Sequence, residues 1–210
     1  MPHLYSGTVS DLPVSLPPDL AVRLTGALDR ESKIARGLDA LGPIAGRDVL
    51  LVDAEQSSIV AGLAALGPRL VHAPLSNPLR LSTADSSMDV VVGLWSAFRG
   101  IDPSELAEVD RVLRPDGRLL VVHDYGRDDV SRLLGDRPEQ GAWSRRNGPF
   151  LSSGFRVRVI HCWWDFDSLD AATAFLGEAF GDPGVELGAT LKRPRLSYKV
   201  AIYHRSRPAA

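Results

Sequence analysis

The chain has 210 residues, 44% of them hydrophobic and 24% charged, a size and balance that suit one globular domain with a short extension. Its formal net charge of -2 gives no global positive field for nucleic acid or an acidic membrane surface. The single cysteine, Cys162, excludes an internal disulfide framework and argues against a Cys-based zinc site.

His3, His72, His123, His161 and His204 show no metal-ligand spacing, so no metal is expected. The N-terminus lacks a basic region followed by an apolar run, and no apolar stretch approaches the ~20 residues of a membrane span. A cytoplasmic location without membrane or nucleic-acid partners is the resulting expectation.

Residues 1–17 read as an irregular, proline-bearing lead-in, and residues 18–210 as a single domain. Pro18 and Asp19 suit a helix start. Ile34, Leu38 and Leu41 lie at helical spacing, and Gly42-Pro43 stops that helix. Val49–Val52 is apolar throughout, as a parallel strand covered on both faces would be. The turn that follows, Asp53-Ala54-Glu55-Gln56-Ser57-Ser58, contains no glycine. Ser57 or Ser58 caps a helix over Ile59–Leu66, which Gly67-Pro68 ends. Leu70–Ala73 reads as a second strand, Asn77-Pro78 as a turn, and Leu79 with Leu81 as a short third strand.

Asp85-Ser86-Ser87 is a turn before Met88–Leu94, the strongest strand signal in the chain. Pro103–Leu113 is a helix with Leu106, Val109, Val112 and Leu113 on one side. Pro115-Asp116-Gly117 is a turn into the buried strand Arg118–His123, and Asp129–Leu134 is a short helix. Residues 135–148 form a charged loop, either a lid or a solvated connection. Phe155–Phe166 is a long strand with Val157 and Val159 on one face and Arg156 and Arg158 on the other. Cys162, beside Trp163-Trp164, reads as a buried structural thiol. Ser168 caps a helix to Phe180, Gly181–Gly188 is a loop, and Leu196–His204 is the last strand. Strands alternating with helices, then two long strands flanking one helix, imply a three-layer α/β sandwich.

Two segments carry a resemblance. One is Asp85-Ser86-Ser87-Met88-Asp89-Val90-Val91-Val92-Gly93-Leu94-Trp95. The other is Glu108-Val109-Asp110-Arg111-Val112-Leu113-Arg114-Pro115-Asp116-Gly117-Arg118-Leu119-Leu120-Val121-Val122. They closely resemble the fourth-strand and helix–turn–fifth-strand segments of small-molecule, type 11-like class I S-adenosylmethionine (SAM) methyltransferases. Gly154-Phe155 resembles the entry to that family's sixth strand. The resemblance implies a Rossmann-like sheet of seven strands, five parallel and the last antiparallel. SAM would lie across the carboxyl ends of the first two strands.

In that family the first strand ends in an acid followed by a glycine-rich turn. Laid over this chain, the acid falls on Leu51 and the glycines on Asp53, Glu55 and Ser57. The ribose-binding acid falls on Pro74, and the acid that reads the adenine amine falls near Asn77. Each lost charge-assisted bond costs about 1.5–3 kcal/mol, and several together carry a micromolar affinity into the millimolar range. What remains for a cofactor is Asp53, Gln56, Ser57, Ser58 and Asn77.

The family's acceptor chemistry takes place at the ends of its fourth and fifth strands. Trp95 and Phe98 follow the first of these here, lining an apolar pocket or packing on the next helix. After the second come His123, Asp124 and Tyr125, candidates for a general base and a substrate-orienting phenol, with Arg127 beside them. Trp143, Arg145 and Arg146, in the loop before the long strand, suit an anionic or planar ligand, or simply a solvated surface. Lys192-Arg193-Pro194-Arg195 has no aromatic platform and reads as solvated surface.

Three functional readings follow. The first is a methyltransferase-like pseudoenzyme with a degenerate or remodelled SAM site, acting as a non-catalytic partner or small-ligand binder. The second is an active SAM-dependent methyltransferase on a small molecule, using an atypical cofactor loop. The third is an interaction module, such as a homodimer through the sheet edge of the last strands.

Overall fold

The computed structural model describes residues 11–55, 57–135, 137 and 139–208. Helices α1 (Pro18–Ala27) and α2 (Lys33–Leu41) precede β1 (Asp48–Val52), α3 (Ser58–Ala64), β2 (Arg69–Ala73) and β3 (Met88–Leu94). Then come α4 (Pro103–Val112), β4 (Leu113–Asp124), α5 (Asp129–Leu134), α6 (Pro149–Ser152) and β5 (Arg156–Asp165). Helices α7 (Leu169–Phe180) and α8 (Asp182–Thr190) and strand β6 (Arg195–Ser206) complete the order.

The sheet runs β2-β1-β3-β4-β6-β5. Neighbours from β2 to β4 pair in parallel, and β6 runs antiparallel to both β4 and β5. Successive side chains of a strand leave by opposite faces, so the central strands feed two apolar layers. Leu51, Val90, Val92, Leu120 and Val122 pack with the buried faces of α1, α2, α3 and α7. Leu50, Val91, Leu119 and Val121 pack with Val109 and Val112 of α4 and with Phe150 of α6, whose ring stacks on Tyr203 at 4.0 Å. Residues 11–17 form no helix or strand, yet Leu12 and Leu16 are buried in the first layer. No helix among the described residues is long and apolar enough to cross a membrane.

Three details differ from the sequence expectations. Among the described residues the sheet has six strands rather than seven, because Leu79 and Leu81 are buried without joining a ladder. Side chains of α4 satisfy that backbone instead. The Leu81 N–H donates to the Glu108 carboxylate at 2.8 Å, and Arg111 donates to the Leu81 carbonyl at 2.8 Å. The turn at 115–117 lies inside β4 as a bulge. Met88 pairs with Leu113 and Val90 with Arg118, with Asp116 at φ 64° absorbing the excess chain. The stretch expected to be a loop at 181–188 is mostly helical, within α8. Its glycines serve close packing, since a Cβ on Gly184 would strike the Leu176 backbone and one on Gly188 would press on Thr173 at 3.2 Å.

Candidate functional site at the carboxyl ends of the strands

Open parallel sheets present their ligand sites where the strands end in their carboxyl direction. Four non-glycine residues with left-handed φ cluster there: Asp53 (53°), Trp95 (35°), Phe98 (56°) and Arg127 (61°). Such conformations persist only where surrounding bonds hold them, and they gather at functional sites. Gly93 makes part of this geometry sterically feasible. A Cβ there would lie 2.6 Å from the Phe98 ring, which folds back on β3.

At the end of β1, Asp53 takes up the glycine-type conformation without a glycine; short acidic side chains tolerate it. Its N–H donates to the Ala73 carbonyl at 2.8 Å, and its carbonyl accepts from Ser96 Oγ at 3.3 Å. Leu51 is fully buried in the core, and Glu55 is exposed. Ser57 caps α3, its Oγ accepting from the Val60 N–H at 3.4 Å. Its own N–H donates to the carboxylate of Asp11 at 2.7 Å, with both residues 1% exposed. Ser58 Oγ is turned away to the Leu28 carbonyl at 2.9 Å. Beyond β2, Pro74 and Asn77 are exposed, and His72 Nδ1 lies 2.9 Å from the Ala54 carbonyl. Gln56 lies outside the described residues.

At the ends of β3 and β4 the strand alternation sends His123 and Asp124 to opposite layers. Asp124 belongs to a buried group of three with Trp95 and Tyr198. The Trp95 indole N–H lies 3.0 Å from both Asp124 Oδ1 and the Tyr198 hydroxyl, and the Tyr198 hydroxyl donates to the same Oδ1. Arg137 Nη1 stands 3.9 Å from Oδ2 and also donates to the Pro13 carbonyl at 3.0 Å. Burial pushes the Asp124 carboxyl up to about 6, against the opposing pull of the Tyr198 hydroxyl. An acid so enclosed positions its neighbours more readily than it reaches a substrate.

His123 is fully buried on the other layer. Its Nε2 lies 3.0 Å from the Phe98 carbonyl, which can only accept, so the ring carries its proton there. Nδ1 is buried without a hydrogen-bond partner. Burial lowers the imidazole to about 4, which keeps it neutral. Trp143 packs edge-on to it with ring centroids 4.8 Å apart, and Arg99 sits over the Trp143 ring at 5.8 Å while pairing with Glu139 at 2.8 Å. Arg145 and Arg146 are exposed, so the expected aromatic–arginine group divides between core and surface. Cys162 is buried, and burial raises its thiol well above the usual range, which keeps it inert.

Tyr125, the third residue of the predicted cluster, lines a cavity of about 330 Å³ with Arg127, Ser131, Arg132 and Gln140. The other wall residues, Gly126, Gly135 and Gly141, all have positive φ. No group of three or more His, Cys, Asp or Glu side chains suited to a metal occurs among the described residues.

Sequence reasoning missed Asp11, Tyr198 and Arg137. Tyr198 had a readable signal. Leu196, Tyr198, Val200 and Ile202 share one face of β6, and Val200 pairs with Asp124. Asp11 and Arg137 had none, because irregular segments bring them to the site.

No protein-family model and no curated protein matches the chain. Among solved structures it is similar to a protein assigned as a type II methyltransferase from Anaeromyxobacter dehalogenans, with a TM-score of 0.56 and 19% identity over 85% of this chain and 97% of that one. It is also similar to a protein from Anabaena variabilis assigned as a methyltransferase of an antibiotic biosynthesis pathway, with a TM-score of 0.55 and 14% identity over 87% of this chain and 99% of that one. The strand order and these likenesses agree on architecture: the chain has the Rossmann-like fold of the class I methyltransferases.

Proposed function

We propose that this chain is a methyltransferase-fold protein whose cofactor end is closed by its own residues, and that it acts as a small-ligand binder rather than a methyl-transfer catalyst. The observation that carries this reading is the buried contact of the Asp11 carboxylate with the Ser57 N–H at 2.7 Å. In the fold, the turn after β1 is where a SAM molecule would present its methionine carboxylate. Here the chain's own carboxylate holds that turn. The residues around it also fit the cofactor poorly. Leu51 is a core side chain, and Pro74 has no side-chain group to hold a ribose hydroxyl. Isothermal titration of the intact protein with SAM and S-adenosylhomocysteine tests the reading. No binding below about 1 mM is expected, and submillimolar binding of either compound overturns it.

One observation favours a second reading, an active SAM-dependent methyltransferase. The Ser57 N–H already holds a carboxylate, and Asp53 keeps a glycine-type turn, so a cofactor carboxylate could displace Asp11. That reading requires submillimolar SAM binding to the intact chain, the result the first reading excludes.

A further inference from the structure

We propose that the cavity beyond β4 binds a small planar molecule bearing a phosphate or carboxylate group, held by Arg127 and Arg132. This rests on the reading of the chain as a small-ligand binder and names the class of ligand. Among the described residues its wall includes Arg127 and Arg132 and no aspartate or glutamate, in a chain whose formal net charge is -2. A local excess of positive charge at a concave surface selects anions, and the planar guanidinium fork matches the geometry of two oxyanion oxygens.

The two arginines are placed by different means. Arg132 is anchored through Asp129, whose carboxylate is itself held by the Ser197 N–H at 2.8 Å and the Ser197 hydroxyl at 2.6 Å. Arg127 sits at a left-handed backbone position whose carbonyl accepts from Lys199 Nζ at 2.8 Å. It forms no ion pair among the described residues. Tyr125 supplies the aromatic part of the wall. Gln140 closes the same wall, packed against Gly126.

Size narrows the class further. A cavity of 330 Å³ has room for about ten non-hydrogen atoms at liquid-like packing. That admits one aromatic ring with one anionic group and excludes a dinucleotide-sized ligand.

The test is calorimetric titration of the full chain at low salt with phenyl phosphate, benzoate and the neutral benzyl alcohol. Both anions are expected to bind at least tenfold more tightly than benzyl alcohol, and to weaken as salt is added. Arg127→Gln and Arg132→Gln should each weaken anion binding about tenfold or more, while Arg127→Lys retains part of it. Unfolding curves check that these surface variants remain folded. Failure of both anions to bind overturns the proposal. So does equal binding of benzyl alcohol, which leaves small-ligand binding in place and removes only the anion class. Anion binding unchanged in both glutamine variants also overturns it. SAM binding to the intact protein is a separate result, which bears on the closed cofactor end and not on this cavity.

Discussion

The two halves of the carboxyl edge of this sheet differ in how their polar groups are satisfied. At the β1–β2 half the chain satisfies itself. The Ser57 N–H meets Asp11, the Ser58 hydroxyl meets Leu28, and the Asp53 backbone is tied to Ala73 and Ser96. At the β4 half a cavity remains, lined by Arg127, which forms no ion pair among the described residues, and by Tyr125. On the proposed reading, the fold keeps its ligand-binding edge and moves the binding capacity along it. Between the halves stands the buried Trp95–Asp124–Tyr198 group. It is linked through Arg137 to the Pro13 carbonyl of the N-terminal segment that carries Asp11.

The largest effect that sharpens this comparison lies at that boundary. Burial holds His123 near 4, below its ordinary 6.5, so the unfolded chain takes up the proton first and stability falls as pH drops through that window. Burial holds Asp124 near 6, above its ordinary 3.8, so the folded chain keeps the proton longer and stability falls as pH rises through that window. Each shift corresponds to about 3 kcal/mol, and the two oppose each other. Urea unfolding across this range should therefore show Asp124→Asn gaining stability with rising pH and His123→Gln losing it. Flat profiles in both variants would show that these side chains are not enclosed as described.

Next in size is Asp11→Ala, which strands a buried N–H and should cost about 1–3 kcal/mol. Asp11→Asn, which keeps an acceptor, should cost less. A loss below about 0.5 kcal/mol for the alanine variant would break the claim that this contact closes the cofactor end. Trp95→Phe removes the indole donor shared by Asp124 and Tyr198 and should cost about 1 kcal/mol, with the Asp124 carboxyl moving further upward. The smallest effect belongs to the double variant Arg145→Gln, Arg146→Gln. Both residues are exposed, so stability should change by less than about 0.5 kcal/mol and phenyl phosphate binding should not change. A marked loss of binding would extend the ligand site into the 141–148 loop.

Much of the fold was legible because its signals are local. The apolar runs at Val49–Val52 and Met88–Leu94 and the Ser168 cap each act within a few residues, and all lie where expected. The misreadings came where long-range partners replaced local rules. Leu79 and Leu81 look like a strand, but Glu108 and Arg111 take the hydrogen bonds a neighbouring strand would have supplied. Gly184 and Gly188 look like loop residues, but they allow α8 to press against α7. The site was legible only in outline. The turn at Asp53–Ser58 and the cluster at His123–Tyr125 lie at the expected strand ends, whereas their partners Asp11 and Tyr198 lie 46 and 74 residues away in sequence. No pattern in a single sequence records such pairings.

The central claim is that the chain's own carboxylate occupies the turn where a cofactor would sit. It is tested most directly by titrating isotope-labelled protein with S-adenosylhomocysteine and following the Ser57 amide resonance. The account predicts a protected amide that does not move up to about 1 mM ligand. A Ser57 shift that saturates below that concentration would show the cofactor displacing Asp11 and would contradict it.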